Sequence, residues 1–263
     1  MSEWTNRDAR QADARAEYEH IMTTGSPDPT GAYIDAGVIG FVFGEMWRRG
    51  VLTPRDRRWI TLSCLGADDS AFPIESHVWA ALNSGDVTIE EFDEFVLHFA
   101  TQLGWPKASV LNMHGTISMM KIAEARGETP RDVDFVPWTD LVDDDTRRAR
   151  GEAAYRDVHG EPPPPAPTAF RGNAYIDYLY GEVWTREKYL TRRDRRIISI
   201  CCCGAIGVDE ETREHVRAAL VNGDLTYEEL QELVVHYAVY VGWPLGRHLD
   251  DMLVDVAAKL GVN

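Results

Sequence analysis

Residues 215–244, HVRAALVNGDLTYEELQELVVHYAVYVGWP, have a second copy in the same chain. That copy, HVWAALNSGDVTIEEFDEFVLHFATQLGWP, occupies residues 77–106 and aligns without a gap at an offset of 138, with 17 of 30 positions identical. The matches differ in kind: a His at the head, AAL behind it, a Gly-Asp turn, a Thr followed by two Glu, a second His, and a closing Gly-Trp-Pro. A period this long means a duplicated supersecondary unit, and it sets the architecture before any local signal is weighed. We expect a first repeat over residues 1–138 with a linker to about 147, and a second over 148–263.

Working outward, each copy is helical by pattern. Thr53 and Thr191 each stand three residues before an Asp, and Thr88 and Thr226 three before a Glu, which is the arrangement of a helix-opening capping box. The runs behind Thr53 and Thr191, WITLSCLGA and IISICCCGAIG, are apolar on all sides and predict a buried central helix in each half. The helices headed by His77 and His215 end at Gly85 and Gly223. The next helix carries Phe92, Phe95, Val96, Phe99 and Leu103 on one face, with Leu230, Leu233, Val234, Tyr237 and Val241 as equivalents. Helices are also expected over residues 1–22, after Arg148, over 107–126 and over 245–260. Proline-rich loops fall at 25–30 and 161–168. No strand pattern is convincing, so the fold class is all-α, two tandem units.

The 43 Asp and Glu against 27 Lys and Arg give a formal net charge of −16, which opposes general binding to nucleic acid or anionic membrane. No apolar run approaches the roughly 18 residues of a membrane span, and the polar start resembles neither a signal nor a transit peptide. A cytoplasmic protein is expected. Cys64 and the consecutive Cys201, Cys202 and Cys203 have no metal-ligand spacing and read as buried small hydrophobes.

The candidates for chemistry come in pairs, one per copy. His77 and His215 lie on a helix beside small buried residues, and their near-neutral pKa suits proton transfer or, equally, a buried bonded ring. His98 and His236 sit at the edge of an apolar stripe. Glu45 and Glu182 follow a Gly and precede an aromatic; each is a general acid or base if its surroundings raise its pKa, or the salt-bridge partner of an Arg on the next helix. Arg57, Arg58, Arg195 and Arg196 fall in the first turn of the central helices. They suit a substrate carboxylate, or those same glutamates. No metal site is expected.

The ordered pattern GE(V/M)W, LTxRDRR, HVxAALxxGDxTxEE and HYAVYxGWP resembles the carboxymuconolactone decarboxylase family over Gly44–Pro106 and Gly181–Pro244, about half the chain. The resemblance implies an all-α fold, chemistry without a cofactor, and assembly into rings of six single units, hence a homotrimer of tandem ones. The related alkylhydroperoxidase D type has a CxxC ahead of the His and a Glu on the preceding helix. Here those positions are Ser70 and Pro73, or Val208 and Glu211, with Arg58 and Arg196 in place of the Glu, which argues against thiol peroxidase chemistry.

The second copy keeps Glu211, His215 and Tyr240, where the first has Pro73, His77 and Gln102. The working site is therefore expected in the second half. His215, Glu182 and Tyr240 would be catalytic, with Arg195, Arg196 and His236 holding the substrate. His77, Glu45, Arg57, Arg58 and His98 would form a second or degenerate site. The function expected is a cofactor-free decarboxylase, or a related lyase or isomerase, acting on a small carboxylated lactone or enol. The alternatives are an oxidoreductase-like member without CxxC, and a ring-forming scaffold that has lost catalysis.

Overall fold

A computed structural model describes residues 7–137 and 142–262. The expected linker and the end of the first repeat at residue 138 fall partly outside these residues, as do residues 1–6 of the expected N-terminal helix. Within them the protein is all-α, and no strand occurs. The first half runs α1 (Arg7–Met22), α2 (Tyr33–Met46), α3 (Pro54–Asp68), α4 (Ala71–Ser84), α5 (Ile89–Leu103) and α6 (Trp105–Arg126). The second repeats it as α7 (Asp144–His159), α8 (Phe170–Trp184), α9 (Arg192–Ala205), α10 (Asp209–Asn222), α11 (Tyr227–Val241) and α12 (Trp243–Leu260).

The local chemistry explains where these helices start and stop. All four expected capping boxes form: the hydroxyls of Thr53, Thr88, Thr191 and Thr226 accept from the backbone N–H three residues on, and the acid there returns a bond to the cap. Two otherwise orphaned donors are thereby satisfied at each start, each cap contributing about 1 kcal/mol. Gly85 and Gly223 end α4 and α10 with φ of 81° and 70°, a left-handed conformation open to glycine at little cost.

The segments GAYIDAGVIGFVFGEM and FRGNAYIDYLYGEVW carried no helical expectation, yet both are helices, wound as the wider π form in α2 and α8. Glycine obscures the pattern in sequence and is the reason for the packing in space. A Cβ on Gly151 of α7 would sit 2.2 Å from the Ile176 carbonyl oxygen of α8, and one on Gly181 would sit 3.2 Å from the Gly151 backbone. The two helices therefore meet backbone to backbone. Each such hairpin, α1 with α2 and α7 with α8, carries its own small apolar cluster, around Ile21, Phe43 and Trp47 or around Val158, Tyr180 and Trp184.

The main core is shared. One continuous cluster joins Trp59, Leu62, Phe95 and Phe99 of the first half with Ile197, Ile200, Leu233 and Tyr237 of the second. The central helices α3 and α9 pack on each other, α11 crosses onto α3, and α5 crosses onto α9. Ion pairs to buried acids follow the same exchange. Glu94 of α5 receives Arg195 at 3.2 Å and Arg186 at 2.5 Å, while Glu232 of α11 receives Arg57 at 2.8 Å and Arg49 at 2.7 Å. Even the capping acids are shared, since Arg193 reaches Asp56 at 3.2 Å and Arg55 pairs with Asp194. Breaking such a pair leaves an uncompensated buried charge, so these contacts fix how the halves interlock.

Candidate active site

The adjacent arginines of each central helix divide their labour between the two halves. Arg196 stays in its own half: Nε donates to Asp224 at 3.0 Å, Nη1 to His215 Nδ1 at 2.8 Å, and Nη2 to the Val158 carbonyl. Arg195 turns to the other half, toward Glu94 and the neighbourhood of His98. Both guanidinium groups are fully buried, and burial lowers their pKa, that of Arg195 to about 10. With all three nitrogens of Arg196 engaged inside the protein, it orients His215 and leaves substrate to other groups.

That bond decides the tautomer of His215. A guanidinium has no acceptor, so Nδ1 must be the bare nitrogen and Nε2 must carry the proton. Burial, then Arg196, His159 and His98, push the imidazole pKa well below 6.5, so the ring is neutral near pH 7. The Trp184 ring stacks on it at 5.8 Å, and Arg196 lies over the same indole at 5.4 Å. His215 is thus a rigid, neutral hydrogen-bond donor.

It lines a cleft of about 360 Å³. Tyr155, Tyr175 and Phe170 supply aromatic wall, and His159 stands with its ring 5.4 Å from that of His215. Glu210, Glu211 and Glu214 of α10 bring negative charge, and Arg171 at the start of α8 is the cation among the lining residues. Glu211 precedes His215 by four residues, which places both on one face of α10.

The first half builds the same frame and packs a tyrosine against its histidine. Arg58 donates to Asp86 at 3.1 Å and to the Ile21 carbonyl at 2.5 Å, and Trp47 stacks on His77 at 6.3 Å. Here, however, Arg58 Nη1 and His77 Nδ1 are both buried without a partner, so the bond made in the second half is absent. Tyr240, arriving on α11, packs edge-on against His77 at 5.6 Å and accepts from Trp47 Nε1 at 2.9 Å. The nearby cleft, of about 400 Å³, is lined by Met22, Phe72 and Trp79 among others, and His77 is not one of its lining residues.

Of the residues expected together in the second half, the structure brings His215 and Arg196 into contact and separates the others. Tyr240 and His236 belong to the surroundings of His77, and His98 belongs to those of Trp184 and His215, because α11 and α5 cross between halves. His236 Nδ1 accepts from Arg57 at 3.1 Å and its Nε2 donates to Thr61 at 3.0 Å, while His98 Nε2 shares a 3.0 Å bond with Ser199. Glu182 is held by Arg150 at 2.8 Å and Arg147 at 3.7 Å, and Glu45 by Arg10. Their partners lie on the preceding helix, where the sequence suggested the following one. Arg171, His159, Tyr175 and Tyr180 were missed. The signal for the last three was available in the contrast between copies, since the equivalent residues are Met22, Val38 and Phe43.

None of the thiols lines this cleft, although Cys203 lies close to Glu211 and Tyr175 of its wall. Burial raises Cys201 and Cys202 well above the ordinary thiol value and Cys203 to about 12, so none is an activated nucleophile.

Comparison with known proteins agrees with the repeat. Residues 34–114 and 172–253 both match the profile of the carboxymuconolactone decarboxylase family. A 4-carboxymuconolactone decarboxylase from Acinetobacter baylyi (strain ATCC 33305 / BD413 / ADP1) is 36% identical over 85 residues. The match covers 32% of this chain and 62% of that relative's length.

Proposed function

Since the chain belongs to the carboxymuconolactone decarboxylase family, we propose that it is a cofactor-independent lyase or isomerase that works on a small carboxylated lactone or enol in the His215 cleft. The observation that carries this reading is the Arg196–His215 bond, which leaves a neutral Nε2–H as the donor of a ring lining the cleft. When a carboxylate leaves as CO2, its electron pair delocalises into the neighbouring carbonyl, and the new enolate oxygen needs a fixed donor. His215 Nε2–H serves that oxygen, and one such preorganised donor lowers the barrier by about 3–4 kcal/mol. Arg171 pairs with a substrate carboxylate, and Glu211 carries a proton to or from the reacting carbon.

The test is incubation of the purified protein with 4-carboxymuconolactone, following CO2 release and product by NMR. Turnover that disappears in His215→Ala supports the reading. If the compound is not consumed and the His215 resonances are not perturbed, the scaffold reading takes its place.

We further propose a homotrimer. Trp105 and Met113 on α6, and Trp243 and Val254 on α12, are each at least half exposed, and apolar surface of this kind on two related helices suits burial between chains. Sedimentation equilibrium should give three times the chain mass of 29.6 kDa; a monomer at micromolar concentration rejects it. No helix among the described residues is long and apolar enough to cross a membrane.

A further inference from the structure

Behind His215 lies a hydrogen-bonded chain that the mechanism above leaves unused. His159 Nε2 shares a 2.7 Å bond with the Tyr180 hydroxyl, which bonds at 3.3 Å to the Tyr175 hydroxyl. Tyr180 is 1% exposed and does not line the cleft, whereas His159 and Tyr175, the two ends of the chain, both do. The remaining ring nitrogen, His159 Nδ1, is buried and has no partner.

Packing does not require this polar set. The first half meets the same geometry with Met22, Phe43 and Val38: the Tyr18–Phe43 and Tyr155–Tyr180 ring pairs are both 4.7 Å apart, and Phe43–Trp47 and Tyr180–Trp184 stack at 6.1 and 6.2 Å. An apolar solution to the same space exists in the same chain. Burying the Tyr180 phenol and an imidazole with one unpaired nitrogen, and half-burying the Tyr175 phenol, instead costs free energy, which points to use.

We propose that His159, Tyr180 and Tyr175 form a proton relay, with both ends on the His215 cleft, that takes a proton from one position of the bound ligand and returns one at another. The inference rests on the reading of that cleft as a proton-transferring site. In the step, a small shift of the His159 ring at the cleft wall uncovers Nδ1, which takes a proton from the ligand, and the Nε2 proton passes to the Tyr180 oxygen. The Tyr180 proton passes to the Tyr175 oxygen, and the Tyr175 proton to the ligand. One N–H and two O–H bonds break within the relay and one N–H and two O–H bonds form, so no residue gains charge. Both hydrogen bonds then run in the opposite direction, from Tyr175 to Tyr180 and from Tyr180 to Nε2, and passage of a proton the other way resets them. Burial holds the Tyr180 and Tyr175 phenols above their ordinary value and His159 down to about 3, so the relay shifts protons without storing an ion.

The test substitutes the first half's own residues, Tyr180→Phe and His159→Met, which fit this packing. With 4-carboxymuconolactone as substrate, kcat should fall by about 10²-fold in each with KM little changed. The rate in H2O/D2O mixtures should change from a curved, multi-proton dependence to a linear one. Wild-type kcat with an unchanged curved dependence in Tyr180→Phe overturns the relay while leaving His215 chemistry intact. Should the wild type not turn this substrate over, the functional reading fails, and ¹⁵N histidine NMR decides the relay separately. His159 exchanging between tautomers in the wild type but fixed in Tyr180→Phe supports it, and one identical tautomer in both proteins overturns it.

Discussion

His215→Ala is expected to lower turnover by about 10²- to 10⁴-fold, the usual cost of removing a general acid or donor at the reacting atoms. His77→Ala is expected to leave it nearly unchanged. The two histidines occupy equivalent places on α10 and α4, each stacked on a tryptophan and each largely buried, so one serves as the control for the other. The two rings are equally buried, and what differs is the polarity around each and the cleft beside His215. His215 borders an open cleft with its tautomer set by Arg196, whereas His77 faces Tyr240 and has an unpartnered Nδ1. The stability cost should also differ. Removing His215 orphans Arg196 Nη1 and costs about 1–3 kcal/mol beyond lost packing, a penalty the first half already carries at Arg58. Steady-state kinetics with urea unfolding on both variants separates the effects; equal loss of turnover in both would reject the assignment to the second half.

Lowering the pH from 6.5 to 5 should destabilise the fold steeply. Burial holds five imidazoles below their ordinary value, with neighbouring arginines as the second cause. His77 and His159 are held to about 3, and His98, His215 and His236 well below 6.5. Above pH 6.5 these rings are neutral whether folded or unfolded, and they add nothing to the pH dependence. Below it the unfolded chain binds protons that the native chain refuses, so stability falls as pH falls. Each ring contributes about 1.4 kcal/mol per pH unit across the window between its two pKa values. Unfolding near pH 5 should therefore take up about five protons, a number read from the slope of urea-derived stability against pH. Ordinary carboxylates are ionised in both states over most of this window, so the slope belongs mainly to the histidines. A flat profile between pH 6.5 and 5 would mean that the rings reach solvent in the native state.

Helix ends and the duplication were legible in sequence because they are set locally. A Thr three residues before an acid states its own hydrogen bonds, and all four such boxes formed. The apolar stripes of α5 and α11 likewise declared which face is buried. Two things were not legible. The π-wound α2 and α8 are rich in glycine and aromatics, so no clear apolar period marks them, and their stability comes from close packing on α1 and α7. The membership of each site was the other. Position along the chain puts Tyr240 beside His215, but α11 crosses into the first half, and nothing within one repeat reports a crossing between repeats. The contrasts at 22 and 159, 38 and 175, and 43 and 180 were in plain view, and only the proximity of their side chains gives them meaning.

The crossing of α5 and α11 has an evolutionary consequence. In a pair of identical chains about a two-fold axis, every substitution appears at both sites at once. A tyrosine that silenced one pocket would silence its twin, and a new relay would have to be tolerated twice. Covalent joining lifts that obligation. Gln102 and Tyr240 are one ancestral position free to diverge, as are Met22 and His159. One pocket could be given over to holding the molecule together while the other acquired a more elaborate polar interior, with neither change forced upon its neighbour.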